Sequence, residues 1–155
     1  MAIAQQEVSG VNVPEIAKSM GQSILISRWL GAWVDFIVVG GTLFGADTFL
    51  GNDLYQKTLG FWLGLPVVYF VVLEWRFGRT LGKLLTGTIV VNEQGGRPSF
   101  GQSVIRTLLR IVEVNPLLFG GVPAGIIALL TPCKQRLGDI FAKTYVVRAK
   151  ELPPR

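Results

Sequence analysis

Asp35 lies within the apolar run SRWLGAWVDFIVVGG (residues 27–41), seven residues after Arg28. In a helix the two would share one face, two turns and about 10 Å apart along the axis. That separation is too long for a direct ion pair. Arg28 can extend to lipid headgroups. Asp35 sits deeper and needs another partner, because an unpaired charge in apolar surroundings is costly. The candidates are Arg106, Arg110 or Arg136, a water, or a proton. Two kinds of chemistry fit: a buried ion pair that locks helices together, or a site that handles ions or protons. A second pair stands in QRLGD (135–139), where Arg136 and Asp139 are three residues apart. Asp139 suits the first turn of the segment that follows it. It equally suits facing Arg28 or a basic helix. Arg106 and Arg110 are four apart and share a helical face.

Other chemistries lack their residues. The chain has no histidine and one cysteine, Cys133. This removes the commonest general base and metal ligand, a Ser–His pair, and an intrachain disulfide. GRTLGK (78–83) superficially resembles a phosphate loop. Its glycines are too close together, and Leu84 stands where a Mg²⁺-binding hydroxyl belongs. Glu74 and Glu113 read as interfacial or paired residues. The expectation is a protein that is not an enzyme and carries no cofactor or metal.

The elements that would position these charges are membrane elements. Half of the 155 residues are hydrophobic and 16% are charged, against roughly 25% in soluble domains. Mean hydropathy is +0.47. The fold class expected is an all-α integral membrane protein with interfacial amphipathic helices and a small cytoplasmic pair of β-strands. Residues 1–13 read as disordered, 14–150 as a single membrane domain and 151–155 as a flexible tail. No cleavable signal peptide is expected, since the first 23 residues lack a long apolar core. Pro14 can open a helix, and 14–26 reads as an amphipathic helix on the membrane surface. Spans are expected at 29–50 and 59–75, joined by the polar turn 51–58. Residues 76–87 suit a short interfacial helix, and 99–114 a helix capped by Ser99. TIVVN (88–92) and TYVVR (144–148) are β-branched runs that look like partners.

Pairing would hold both strands on one side of the membrane. The basic residues agree. Two precede the first span, one lies in the 51–58 turn, six lie between Arg76 and Arg110, and six follow from Lys134. The positive-inside rule then makes the N-terminus and the 76–110 region cytoplasmic. To return the last six to that side, residues 101–131 would form a re-entrant hairpin with its apex near Asn115–Val122. The alternative is a simple third span. With a net charge of +5, the expected partners are anionic headgroups of the cytoplasmic leaflet rather than nucleic acid.

The order of SRWLGAWVDF, GRTLGKLLTGTIVVNEQGGRPSFGQSVIRTLLR and QRLGDIFAKTYVVR, over roughly residues 25–148, resembles the RDD family of small membrane proteins. Leu81 departs from it, since the family often has proline before the Gly-Lys. The resemblance implies a multi-pass protein of the bacterial inner membrane. It makes Arg28, Asp35 and Asp139 the three residues that carry the family pattern. It further implies ion transport or sodium/proton exchange for some members. Two functional expectations follow. One is ion or proton transport as a homo-oligomer. The other is an accessory subunit of a larger membrane complex, with the Arg and Asp residues purely structural.

Overall fold

The computed structural model describes residues 12–113 and 122–153. Helix α1 (Val13–Ser19) opens with Pro14 in its first turn, and the Asn12 side chain accepts from the Glu15 N–H at 3.3 Å. It stops at Gly21, whose φ of +60° ends the turn. The expected surface helix over 14–26 is therefore shorter, and it does not lie free. Val13 and Ala17 are buried against Ile89, Val91 and Val147. The apolar face that suggested a membrane surface covers the strands instead.

Helix α2 (Ser23–Leu50) and helix α4 (Leu59–Phe77) are long and apolar enough to cross a membrane. At 1.5 Å per residue, the 28 residues of α2 rise about 42 Å, more than a hydrocarbon core of roughly 30 Å. Only 17% of the apolar window in each is buried within the chain. Core helices of a soluble protein would be mostly covered. Phe44, Phe49 and Phe61 point outward, as lipid-facing side chains do. The segment between these helices is not a plain turn. Asn52–Lys57 forms helix α3, entered through Gly51 at φ +74°.

Gly78, left-handed at φ +68°, ends α4 with its N–H on the Glu74 carbonyl at 2.8 Å. Thr80 then caps helix α5 (Leu81–Leu85), which is far shorter than the interfacial helix expected over 76–87. Strands β1 (Thr88–Asn92) and β2 (Thr144–Arg148) pair antiparallel in the register Thr88↔Arg148 to Asn92↔Thr144. A two-stranded sheet is marginal alone. Here all five β1 residues are buried, with α1 supplying part of the cover.

Ser99 and Gln102 form a reciprocal cap at the start of helix α6 (Phe100–Glu113), as the sequence predicts. This helix is inverted relative to a soluble one. Its buried side chains are Ser103, Arg106, Thr107 and Glu113, while Leu108, Ile111 and Val112 are more than half exposed. Apolar-out and polar-in is the pattern of a helix that meets lipid on one side and a polar core on the other. Helix α7 (Val122–Leu130) has nine described residues, which rise about 13 Å. The expected hairpin apex falls largely on 114–121, outside the described residues. Helix α8 (Leu137–Phe141) precedes β2. The architecture is mostly helical, with two long apolar helices and one small antiparallel sheet.

Candidate functional site

A close crossing of α2 and α5 places Asp35. Gly31 and Gly82 let the two backbones touch. A Cβ added at Gly82 would fall 2.7 Å from the Gly31 carbonyl carbon and 3.0 Å from Asp35 Cγ. The start of α5 thereby meets the Asp35 carboxylate, which is 4% exposed. The Gly82 N–H donates to Oδ1 at 2.9 Å, and the Thr80 hydroxyl lies 2.6 Å from Oδ2. The Tyr69 hydroxyl, on α4, reaches Oδ1 at 2.9 Å. It also accepts the Leu81 N–H at 3.2 Å, which directs its own proton to Asp35. Neutral donors therefore hold this carboxylate. Among the described residues, Arg106, Arg110 and Arg136, the candidate cationic partners of Asp35, pair with other acids instead. The physical reason is the glycine crossing: it brings backbone and hydroxyl donors close enough to serve in place of a cation.

The arginines converge on two other acids. Glu74, fully buried near the end of α4, accepts from Lys83 Nζ at 2.9 Å, Arg106 Nε at 2.8 Å and Arg110 Nη2 at 2.6 Å. Asp139, fully buried at the start of α8, accepts from Arg28 Nη2 at 2.5 Å and from Arg106 Nη1. It also accepts the Arg136 N–H at 3.2 Å, with Arg136 Nε 3.4 Å away. The expected cap and the expected meeting with Arg28 thus both occur. Arg28 Nη1 further donates to the Lys134 carbonyl at 2.6 Å. Arg106, with no exposed surface, bridges Glu74 and Asp139 and reaches Thr144 Oγ1 at 2.6 Å. It thus ties α4, α6, α8 and β2 together. Arg110 lies over the Phe70 ring at 3.9 Å. Glu113 accepts the Gly138 N–H at 3.3 Å and stands 3.9 Å from Arg136 Nε.

A cavity of about 90 Å³ opens among these groups. Arg28, Lys83, Arg106, Arg110 and Arg136 line it, and among the described residues Asp35 is the one acidic side chain on its wall. A second cavity of about 60 Å³ lies between α2 and α4, with an apolar lining of Val38, Val39, Leu43, Leu65 and Pro66, and Thr42 and Tyr69 beside them. Tyr69 faces this second space and bonds Asp35, which faces the first.

Charge crowding sets the titration of the groups outside the spans. Burial would raise the Asp139 carboxyl, but Arg106, Arg28 and Arg136 outweigh it and hold the group well below the usual carboxylate range. Burial likewise opposes the charge on Arg106, yet Asp139 and Glu74 raise it above the usual arginine value. For Lys83, burial dominates. Glu74 supports its charge, whereas Arg110, Arg136 and Arg106 oppose it, and the ammonium is lowered to about 8. Arg110 is lowered to about 10, again by burial first, with Glu74 opposing that shift and Arg136 and Arg106 adding to it. In ¹³C-methylated protein, the Lys83 resonance is accordingly expected to titrate near pH 8, ahead of ordinary lysines near 10.4. The sign for stability follows. Between about 8 and 10.5 the unfolded state binds the proton that the folded state has released, so this group's contribution favours folding increasingly as pH rises through that window. A Lys83 midpoint near 10.4 would contradict this environment.

The structure brings Arg28, Asp139, Arg106, Arg110 and Arg136 into one network, and Asp35 meets it across the shared cavity. Sequence reasoning missed Glu74 and Lys83 as network members, and Tyr69, Thr80 and Gly82 as partners of Asp35. One signal was available for Glu74: a carboxylate closing a sixteen-residue run without charge. The spaced glycines at 41 and 45 and at 60 and 64 have nothing within 4 Å of a built Cβ, so they do not carry the close packing inside the chain. Gly125 is equally open.

Comparison with curated proteins and with solved structures gives no match. The RDD family pattern matches residues 22–143, from just before α2 to the residue preceding β2, and so includes Arg28, Asp35 and Asp139 with the acids and bases that surround them. With that match covering most of its length, the chain belongs to the RDD family.

Proposed function

We propose that the protein moves protons across the bacterial inner membrane, with Asp35 as the exchanging group. The observation that carries this reading is the position of Asp35 between two cavities, one lined by charged side chains and one within the apolar span, linked through the Tyr69 hydroxyl. A titratable side chain buried in a membrane helix is a functional candidate by default. The five basic side chains around the first cavity disfavour a resident metal cation. A proton held on Asp35 needs no shell of oxygen ligands, which makes it the species this site can exchange. Arg28 and Asp139 hold the cytoplasmic mouth. Charge distribution supports an N-terminus and a β-ribbon on the cytoplasmic side. The ribbon pairing supports a re-entrant course for α6 and α7, because β1 and β2 must share a side. Two spans offer little room for a private route, so a homo-oligomer would complete it.

In proteoliposomes carrying a pH-sensitive dye, Asp35→Asn is expected to reduce proton flux to the background of empty vesicles. The variant's melting curve in detergent verifies that it is folded. Wild-type flux that survives this substitution would remove Asp35 from the pathway. A second reading has its own observation in favour. Each of Asp35, Glu74 and Asp139 accepts from at least three donors, which is what a purely structural lock requires. The chain would then be an accessory subunit, and purification in mild detergent would bring down a stoichiometric partner instead of a homo-oligomer.

A further inference from the structure

Among the described residues, three guanidinium nitrogens in the network have no hydrogen-bond partner. Arg136 Nε is one, and it lies 3.4 Å from Asp139 and 3.9 Å from Glu113. The others are Arg106 Nη2 and Arg110 Nη1, both buried. Buried donors are nearly always satisfied. Both residues line the 90 Å³ cavity, and both are bound by one carboxylate, Glu74, through their other nitrogens. That shared acid holds the two guanidinium heads side by side. The cavity wall adds Arg28, Lys83 and Arg136, whose side chains are 12–14% exposed and so reach the surface.

We propose that this cavity binds a phosphate-class oxyanion, held by the free nitrogens of Arg106 and Arg110. Planar guanidinium groups offer paired donors to tetrahedral oxyanions. The space is ample for one such ion, since a single water needs only roughly 10–15 Å³ on this scale. Five bases line the wall; Glu74, Asp139 and Glu113 pair with them, yet Arg106 and Arg136 still oppose the charges of Lys83 and Arg110, and an anion in the cavity would relieve that opposition. The same chemistry is offered by free phosphate in the aqueous phase and by the phosphodiester of a lipid headgroup at the interface. The assignment is independent of proton movement through Asp35.

Calorimetry with inorganic phosphate, on protein delipidated in maltoside detergent, tests the free ion. Native mass spectrometry after reconstitution with phosphatidylglycerol tests the headgroup. Arg110→Gln is expected to weaken phosphate binding ~10-fold or more. Arg110→Lys, which preserves the charge facing Glu74, is expected to weaken it less, by ~3-fold. Saturable phosphate binding with this ranking supports a free-ion site. Retained phosphatidylglycerol that is lost in both variants, without phosphate binding, supports the headgroup as the source. Binding of neither, or binding indifferent to both variants, overturns the proposal. Asp35→Asn distinguishes this assignment from the flux reading. It removes the acidic side chain on the wall and is expected to tighten phosphate binding ~3–10-fold, even where it abolishes flux; weaker binding would place the ion elsewhere.

Discussion

Replacing Arg106 with leucine is expected to cost roughly 3–5 kcal/mol, the range for removing one partner of a buried ion pair. Arg106 has no exposed surface, and neither do its two acids, Glu74 and Asp139. Leucine fills part of the volume but withdraws a donor from each acid at once. Glu74 keeps Lys83 and Arg110, and Asp139 keeps Arg28 and Arg136, so the charges remain partly compensated. What is lost is the link between α4 and α8. Lysine is not expected to rescue it, because a single ammonium cannot reproduce the fork that reaches two carboxylates and Thr144. Unfolding in mixed micelles measures the loss. An Arg106→Leu protein as stable as wild type would mean that the bridge adds nothing to the fold.

The second large effect is expected from a single methyl group. Gly82→Ala places a Cβ against the Gly31 backbone, which cannot move aside as a flexible side chain would. Overpacking typically costs ~1–3 kcal/mol, and this site belongs at or above the upper end because the obstacle is main chain. Prising α5 from α2 also withdraws the Gly82 N–H from Asp35. Gly31→Ala should cost less, since its nearest contacts stand at 3.0 and 3.1 Å. Alanine at Gly41, Gly45, Gly60 or Gly64 meets nothing within 4 Å and should gain about 0.5–1 kcal/mol from helix propensity. Thermal unfolding of the series should therefore rank Gly82 far below Gly31, with the other four at or above wild type. A Gly82→Ala protein that melts with the wild type would rule out the close crossing.

Much of this was legible in the sequence, and the reasons differ by element. The strands at 88–92 and 144–148 announced themselves because a β-branched run of five between turn residues has few other uses. Both long apolar helices followed from length and apolarity, with ends set by Gly51 and Gly78. The Arg28–Asp139 pair was one of two open pairings, and nothing local favoured it. Glu74 resisted because its partners Lys83, Arg106 and Arg110 lie 9, 32 and 36 residues away, so no periodicity joins them. The partners of Asp35 were missed for a related reason. A search for a cation overlooks the possibility that a close backbone crossing supplies neutral donors. Helix α1 was misread because its apolar stripe fits a lipid surface and a β-ribbon equally well; only the presence of the ribbon distinguishes them.

The ribbon also governs how the chain can be made. Among the described residues β2 is the one strand that pairs with β1, and α1 rests on both strands. Arg28 must wait 111 residues for its carboxylate. During synthesis, the amino-terminal helix and the basic cluster therefore leave the ribosome long before the segment that closes over them. The two long apolar helices can form early, but the ribbon and the ion-pair network around it can consolidate only once residues near 148 have emerged. A nascent chain stalled shortly before that point would present an uncovered strand edge and a cluster of half-matched charges.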